Sequence, residues 1–356
     1  MKHILILTGR FGMGHCCAAE AIRQEISAIN PQAEVHIIDL IDYLFPRGSE
    51  LIYCAFAHLV NRYSAVYNYL NRAAGRCSIL PMNAVIMRKL DRLLCDHQAD
   101  IVVSTLPICS QCISAYKQQR DAHIPLYTYI TDIGAQDEWI VPHTDAYFVG
   151  ARDTKDELIR KGICADRIHI CGIPVRRDFL HPVSHASASG QTELLIMGGG
   201  LGLIPSSDTF LSALSRMHGI HLTVITGKNQ ALYTRLKAQY PSITVIGYTE
   251  QVAHYMRNAD LLITKSGGIT TFEAIHCATP LYVIHPFLMQ EIGNAEYIER
   301  NHIGRVLWSN SDDVTYDILS LLQSHAQLTA MKQNMEQICR GLEATCPAAY
   351  FGGEAS

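Results

Sequence analysis

The chain has 356 residues, of which 48% are hydrophobic, and a formal net charge of −4. This length exceeds the usual size of one hydrophobic core, so we expect two domains. The negative net charge argues against a nucleic-acid partner, because neutralising phosphates requires a basic face.

No apolar run approaches the roughly 20 residues of a membrane-spanning helix. The longest runs cover 4–7, 101–103 and 194–197, and residues 1–14 lack the pattern of an export signal. The 12 cysteines lie mostly among apolar residues, which predicts reduced thiols in a cytoplasmic protein. Cys109 and Cys112 form one C-x-x-C pair without a second pair or a suitably spaced His, so we predict no metal site.

The first half of the chain alternates strand and helix patterns. In chain order we predict a strand at 4–7, a helix at 14–29, a strand at 35–38, a long helical stretch, and strands at 101–104, 126–131, 146–149 and 169–172. Short apolar strands that helices cover on both faces are typical of a parallel sheet. We assign residues 1–183 to this N-terminal α/β domain.

A small-polar run at 184–190 predicts a linker. After it we predict strands at 193–198, 222–226, 243–247, 261–264 and 280–284, with helices between them, such as those at 207–216, 232–239 and 255–258. Residues 191–356 are therefore predicted to form a second doubly wound domain, and the helix near 331–342 is expected to pack back on the first. Ligands of such sheets bind beyond the carboxyl ends of the strands, which places the expected site in a cleft between the domains.

The most informative segment is the turn Ser266-Gly267-Gly268 with Thr270 and Glu273, which follows the predicted strand at 261–264. A strand that ends in small residues and continues as a helix presents free backbone N–H groups, and these bind anions such as phosphate. Glu273 lies one turn further, where a carboxylate can bind both hydroxyls of a ribose. The segment predicts a nucleoside diphosphate site, with an unliganded turn as the structural alternative.

Three other strand ends of the second domain carry candidate donor-binding residues. Gly199 and Gly200 let backbone N–H groups approach a phosphate, unless their loop is only a tight turn. Lys228 follows the next strand and either approaches a phosphate or is a solvated lysine. Tyr248 follows the strand after that, where main-chain groups can bind a planar base.

A polar cluster follows the last predicted strand of the second domain. Gln290, Glu291 and Asn294 enter a helix beside the predicted pyrophosphate site and offer hydrogen bonds to the hydroxyls of a sugar. Ordinary polarity at the start of a surface helix is the alternative.

Gly12, Gly14 and His15 lie where the first strand of the chain gives way to a helix. The spacing is not G-x-G-x-x-G, although Asp39 ends the second strand where the ribose-binding acid of a dinucleotide site would lie. The helix dipole lowers the pKa of an imidazole in the first turn, so His15 is suited to accept a proton, with a core or capping histidine as the alternative. Asp132 ends another strand and is predicted to orient His15, to act as the base, or to cap the next helix.

Together these motifs resemble the GT-B glycosyltransferases that include plant galactolipid (monogalactosyldiacylglycerol) synthases, bacterial processive diacylglycerol glucosyltransferases and, more distantly, the N-acetylglucosaminyl transferase of lipid II synthesis. The resemblance covers nearly the whole chain and implies two doubly wound Rossmann-like α/β domains that face a central cleft. The positions that carry it are Gly12, Gly14 and His15; Thr131-Asp132 with Trp139; Gly172-Ile173-Pro174-Val175; the loop 198–202; Lys265-Ser266-Gly267-Gly268; Thr270 with Glu273; and Gln290-Glu291 with Asn294.

The resemblance implies a role for each site residue. In the second domain, a UDP-sugar would have its diphosphate at Ser266, Gly267, Gly268 and Thr270, its ribose at Glu273, its uracil at Tyr248 and its sugar at Gln290 and Glu291. The first domain would receive the acceptor near Gly14, Gln136 and Trp139, with His15 as the candidate base. This chain has Gln136 where lipid-glycosylating members usually carry a His, and Leu288-Met289 where they commonly have Pro-Gly.

The implied reaction is a single in-line displacement that inverts the anomeric carbon. A base removes the proton of the acceptor hydroxyl, while helix N-termini and backbone amides stabilise the leaving UDP. We therefore expect no bound metal and no cofactor besides the UDP-sugar as co-substrate.

The stretch 43–92 is rich in apolar, aromatic and basic residues. It carries Arg47, Arg62, Arg72, Arg76, Arg88, Lys89 and Arg92 among residues such as Leu44, Phe45, Leu51, Ile52, Tyr53, Phe56, Tyr63, Tyr67 and Tyr69. This composition suits a segment that lies on an anionic membrane and admits a lipid. A pair of ordinary amphipathic helices on the sheet is the alternative.

The leading hypothesis is an inverting hexosyltransferase that acts on a lipid, diacylglycerol, as a peripheral protein on the cytoplasmic membrane face. The alternatives are transfer to a soluble or polyprenyl-linked acceptor, an isomerase like the UDP-N-acetylglucosamine 2-epimerases, and a catalytically silent nucleotide-sugar binding module. A dehydrogenase is disfavoured because the strongest phosphate signals lie in the second half.

Overall fold

The fold consists of two parallel sheets, each covered by helices. The computed structural model describes residues 1–62, 83–180, 190–199, 202, 208–309, 314–343 and 346–352. The chain divides into a first unit of Met1–Arg177 with Leu342–Ser356 and a second unit of Asp178–Gly341. The predicted linker lies mostly outside the described residues, as do Gly200 and most of the aromatic and basic segment between Arg62 and Asn83.

Six parallel strands form the sheet of the first unit, in the order β2-β1-β3-β4-β5-β6. They are β1 (His3–Thr8), β2 (Glu34–Asp39), β3 (Ile101–Ser104), β4 (Leu126–Tyr129), β5 (Ala146–Val149) and β6 (Ile168–Ile170). The helices described between them are α1 (Met13–Ile29), α2 (Leu40–Leu44), α3 (Ser49–Arg62), α4 (Ala84–Asp96), α5 (Pro107–Arg120) and α6 (Arg152–Arg160). Every residue of β3 and β5 is buried, as expected for strands with helices on both faces.

The second unit repeats this design with strand order β12-β11-β10-β7-β8-β9, all pairs being parallel. Its strands are β7 (Thr192–Met197), β8 (Ile220–Ile225), β9 (Thr244–Ile246), β10 (Leu261–Thr264), β11 (Leu281–Ile284) and β12 (Gly304–Leu307). Its helices are α7 (Asp208–Ser215), α8 (Gln230–Gln239), α9 (Val252–Asn258), α10 (Gly268–Cys277), α11 (Met289–Arg300), α12 (Val314–Gln323) and α13 (His325–Arg340). The doubly wound α/β prediction is confirmed, and β12 is the strand that the sequence analysis missed.

The end of the chain belongs to the first unit. Helix α13 lies within the second unit, whereas the following helix, α14 (Cys346–Phe351), lies within the first. Phe351 is fully buried among the strands of the first sheet, and its carbonyl accepts a hydrogen bond from Asn30 Nδ2 at 3.2 Å. Helix α13 packs with α10 and α12, and its packing on the first domain stays a prediction.

None of the described helices combines the length and the apolar character needed to cross a membrane.

Glu25 on α1 should weaken the fold as the pH rises. Burial raises the pKa of Glu25 from 4.5 to about 7, so the folded protein keeps its proton where the unfolded chain has lost it. Stability should therefore fall between pH 4.5 and 7 and then level off. We expect Glu25→Gln to be more stable than the wild type at pH 8 by about 3 kcal/mol, with little difference at pH 4. Urea unfolding at both pH values checks this, and an equal difference at both would contradict it.

Candidate active site

The first sheet reverses its winding between β1 and β3. Strand β1 lies between β2 and β3, so the chain leaves β1 toward one side and β3 toward the other. The loops at such a point separate and leave a crevice at the carboxyl ends of the strands. In this unit the loop after β1 carries Gly12, whose φ of +144° favours glycine, and leads directly into α1.

His15 lies at this crevice in the first turn of α1. Its Nδ1 is 2.8 Å from the main-chain oxygen of Thr105, which follows β3, and 3.0 Å from Oγ1 of Thr131, which follows β4. A carbonyl oxygen can only accept, so Nδ1 carries the proton of the neutral ring and Nε2 carries the lone pair. Burial lowers the pKa of His15 to about 4, against the opposing effect of the Thr105 hydrogen bond. The ring is therefore neutral at physiological pH, as predicted, with burial as the main cause.

Asp132 does not orient His15. The hydrogen-bond partners of the imidazole are Thr105 and Thr131, and Asp132 is not among the causes of its pKa shift. This corrects the orienting role that we expected for Asp132. Its role as the base itself stays a prediction.

Glu138 is a titratable group at this edge that the sequence analysis did not single out. It is partly buried in the short 3-10 turn Asp137–Trp139, and its main-chain oxygen accepts a hydrogen bond from Gln111 Nε2 at 3.1 Å. Burial and, secondarily, the charge of Asp132 raise the pKa of Glu138 to about 7. No motif signals this residue, because its pKa shift arises from the packing around the turn.

The three residues predicted on the acceptor side have different environments. Gly14 lies in the first turn of α1, next to His15. Gln136 is partly buried, and its Oε1 has no hydrogen-bond partner among the described residues. Trp139 is only 1% exposed and packs with Ile130 and Tyr147 in the core, which corrects its prediction as an acceptor contact.

Asp39 has a local structural role that leaves no place for a dinucleotide ribose. Its Oδ1 accepts hydrogen bonds from the first amides of α2, at 3.0 Å from both Ile41 and Asp42. The Tyr53 hydroxyl donates to the same carboxylate at 2.6 Å, and Arg10 Nε lies 3.4 Å from it. Asp39 thus holds α2 and α3 beside the glycine loop, which agrees with rejecting a dehydrogenase.

The second sheet reverses its winding between β7 and β10, and the two strongest glycine signals follow those two strands. Gly199 follows β7 with a φ of +68°, and a Cβ there would meet nothing within 4 Å. Gly267 follows β10 and is the N-cap of α10. The glycine loops thus lie at the edge where open α/β sheets bind ligands.

The start of helix α10 has no side-chain cap. Its first turn contains no acidic residue. Such a start carries a partial positive charge and unsatisfied N–H groups. Gly267, Gly268 and partly buried Thr270 lie at this start, and Glu273 follows one turn later with 7% of its surface exposed. The arrangement suits an anion with a neighbouring hydroxyl-bearing group.

Ser266 does not present its hydroxyl to this helix start. Its side chain is fully buried, and Oγ donates a hydrogen bond to the main-chain oxygen of Glu291 at 2.7 Å. Asn294 Nδ2 donates to the main-chain oxygen of Ser266 at 2.8 Å. The Ser266 hydroxyl thus joins the turn before α10 to α11 and does not bind the diphosphate, whereas a diphosphate contact of the Ser266 main chain stays a prediction.

Glu291 is buried and bonds to other residues of this region. Its carboxylate is 3.0 Å from Lys265 Nζ and accepts the amides of Phe287 and Leu288 at 3.4 Å, and the residue is 5% exposed. This corrects the prediction that the Glu291 carboxylate contacts the sugar. Gln290 is partly buried, and its contact with the sugar stays a prediction.

Removing the charge of Glu291 should destabilise the second unit. Glu291→Gln leaves Lys265 without its partner and weakens the bonds to two amides, so we expect a loss of about 1–3 kcal/mol. Thermal unfolding measures this loss. Glu296→Gln, an exposed change on the same helix, is the control and should change little. Equal melting temperatures for all three proteins would contradict the ion-pair role.

Lys228 and Tyr248 lie together at the carboxyl edge of the same sheet. They follow β8 and β9, respectively, and Lys228 Nζ is 5.6 Å from the centre of the Tyr248 ring. Tyr248 is 58% exposed, so its ring offers an open face. The structure therefore joins two residues that the sequence analysis had treated separately.

Both units match models of known families. Residues 15–175 match monogalactosyldiacylglycerol (MGDG) synthase, and residues 193–343 match the glycosyltransferase family 28 C-terminal domain. The processive diacylglycerol beta-glucosyltransferase of Staphylococcus epidermidis is 27% identical over 354 residues, covering 94% of this chain and 88% of that protein. Its counterpart in Staphylococcus aureus strain Newman is 27% identical over 370 residues, covering 96% and 92%.

Solved structures share the fold over nearly the whole chain. MurG of Acinetobacter baumannii has a TM-score of 0.62 at 15% identity, covering 99% of this chain and 98% of that chain. UDP-GlcNAc 2-epimerase from Neisseria meningitidis has a TM-score of 0.62 at 13% identity, covering 98% and 99%. These likenesses show the fold alone, whereas the family matches confirm the predicted enzyme class. The chain is therefore a UDP-sugar glycosyltransferase of GT-B fold, whose first half matches the MGDG synthase model and whose second half matches the glycosyltransferase family 28 C-terminal domain model.

Proposed function

We propose that this enzyme transfers a hexose from a UDP-sugar to diacylglycerol at an anionic membrane surface, with inversion at the anomeric carbon. The observation that carries the donor assignment is the uncapped start of α10 at the winding reversal of the second sheet. The family matches and the diacylglycerol glucosyltransferases of Staphylococcus support the acceptor class.

The donor binds in the second unit. The amide of Gly268 and the hydroxyl of Thr270 receive the diphosphate, and Glu273 receives the ribose hydroxyls. The amide of Gly267 already donates to the main-chain oxygen of Lys265 at 2.9 Å. Tyr248 stacks on the uracil beside Lys228, and Gln290 contacts the sugar. As the anomeric bond breaks, negative charge grows on the diphosphate, and the helix start stabilises that charge without a metal or another cofactor.

The acceptor hydroxyl is activated in the first unit. Nε2 of His15 takes its proton as the oxygen attacks the anomeric carbon. The imidazolium that forms has a pKa of about 4, so it releases the proton readily and the ring returns to its neutral form.

The membrane contact is placed on the helices that flank residues 63–82. Leu51 on α3 is 75% exposed and Val85 on α4 is 55% exposed, and Arg88 and Arg92 are exposed on α4. Apolar side chains beside arginines suit the interface of an anionic bilayer. The protein is thus proposed to be peripheral on the membrane.

The test is UDP release from UDP-glucose, UDP-galactose and UDP-N-acetylglucosamine, with and without diacylglycerol in vesicles of anionic phosphatidylglycerol. Co-sedimentation with these vesicles is measured in parallel, with phosphatidylcholine vesicles as the control. We expect turnover with one donor that requires diacylglycerol, and binding that weakens with salt. Turnover only with a soluble acceptor would overturn the acceptor assignment. No turnover with any of the three donors in the presence of diacylglycerol would overturn it as well.

A further inference from the structure

We propose that Thr131 is a positioning residue that acts through His15 by fixing the orientation of its imidazole and strengthening the hydrogen bonding of Nδ1–H. The proposal rests on the proposed role of His15 as the base. Thr131 contacts Nδ1 of the ring, whereas the proposed proton acceptor is Nε2.

The contact geometry requires one tautomer. Thr105 O is 2.8 Å from Nδ1, and a carbonyl at this distance would repel an unprotonated nitrogen. Nδ1–H therefore points to Thr105, and Thr131 Oγ1, at 3.0 Å from the same nitrogen, accepts a share of the same hydrogen. Within the described part of the chain, no hydrogen bond reaches Nε2, which leaves its lone pair for the acceptor hydroxyl.

The threonines that surround the ring are themselves held in place. Thr131 is 4% exposed and Thr105 is fully buried. Thr105 Oγ1 donates to Thr8 Oγ1 at 2.9 Å and lies 3.3 Å from the main-chain oxygen of His15. The ends of β1, β3 and β4 thus contribute one threonine each to a rigid frame around the first turn of α1.

This frame has a catalytic consequence. When Nε2 takes a proton, positive charge spreads over the ring and strengthens the hydrogen bonds of Nδ1–H. Thr131 therefore stabilises the transition state more than the bound substrate, and its loss should lower kcat and leave KM unchanged. In many enzymes a carboxylate has this position, whereas here two neutral oxygens share it.

The experiment compares Thr131→Val, Thr131→Ser and the control Thr128→Val by steady-state kinetics. Thr128 is also fully buried and hydrogen-bonded, to Ser110 at 3.0 Å, but it does not touch His15. We expect Thr131→Val to lower kcat about three- to tenfold, the effect of one neutral hydrogen bond, with KM within about twofold. Thr131→Ser should restore the rate, and Thr128→Val should keep it. If Thr131→Val does not fold, Thr131→Ala replaces it.

A second readout needs no turnover. In protein with 15N-labelled histidine, the spectrum of His15, assigned against His15→Ala, should show the Nδ1–H tautomer in the wild type and in Thr131→Val, because Thr105 O keeps that proton. The Nδ1–H proton resonance should move upfield in Thr131→Val, because the hydrogen bond to Thr131 is lost. An unchanged Nδ1–H resonance and rate in Thr131→Val would overturn the proposal, as would an equal loss in Thr128→Val. Full activity of His15→Ala would instead overturn the base assignment, and the spectrum would still decide whether Thr131 fixes the ring.

Discussion

His15→Ala should lower kcat by about two to four orders of magnitude while the protein stays folded. The imidazole lies at the winding reversal of the first sheet, and Thr105 and Thr131 both contact its Nδ1, so that the lone pair of Nε2 has no hydrogen-bond partner among the described residues. The donor residues lie in the second unit, so KM for the UDP-sugar should change little. UDP release under saturating substrates measures the effect, and circular dichroism confirms the fold.

A matched control and a pH profile strengthen this test. His123→Ala changes an exposed histidine just before β4, at the opposite edge of the same sheet, and should keep the wild-type rate. Because the pKa of His15 is about 4, the rate of the wild type should not show a histidine limb near pH 6.5. A loss of less than twofold in His15→Ala would show that another group is the base.

Gly267→Asp should both stabilise the protein and strongly weaken the binding of UDP. Gly267 caps α10 with φ −72° and ψ 135°, a conformation that aspartate adopts, and a Cβ would only meet Thr270 at 3.8 Å. The new carboxylate would accept the free amides of the helix start and complement its dipole, adding about 0.3–1 kcal/mol. The same charge would repel the diphosphate, so we expect UDP affinity to fall at least about 100-fold.

Gly267→Asn separates charge from geometry in this test. Asparagine caps the helix as well as aspartate but carries no charge, so its stability gain should be similar and its loss of UDP affinity much smaller. Calorimetric titration with UDP measures the UDP affinity of each variant, and thermal unfolding measures its stability. Wild-type UDP affinity in Gly267→Asp would mean that the diphosphate binds elsewhere.

Most of the strands could be predicted because each is a short apolar run that ends at glycine or a polar residue. β12 was missed since it contains Gly304 and Arg305 and is recognisable as a strand only where it pairs with β11. A Cβ at Gly304 would lie 2.5 Å from the main-chain oxygen of Leu281, so its glycine reflects this close approach. Such a requirement depends on a neighbouring strand and leaves no local pattern.

The predicted donor residues show that the direction of a side chain could not be predicted from the sequence. Sequence order indicates which residues follow a strand, but it does not give the direction of each side chain. Ser266 and Glu291 follow the right strands, yet both are buried and bond to main-chain atoms of the adjacent segment. Gly267 and Gly268 have no side chain whose direction could be misjudged, so their placement at the helix start followed from the sequence.

The two α/β units, the glycine-rich start of α10 and the position of His15 in the first turn of α1 were predictable from the sequence, because they depend on local apolar patterns and glycine turns. The groups that surround those positions became known only from the fold. Thr105 and Thr131 lie 90 and 116 residues from His15 along the chain. They reach it because parallel strands bring their carboxyl ends to one edge, in a spatial order that differs from the chain order.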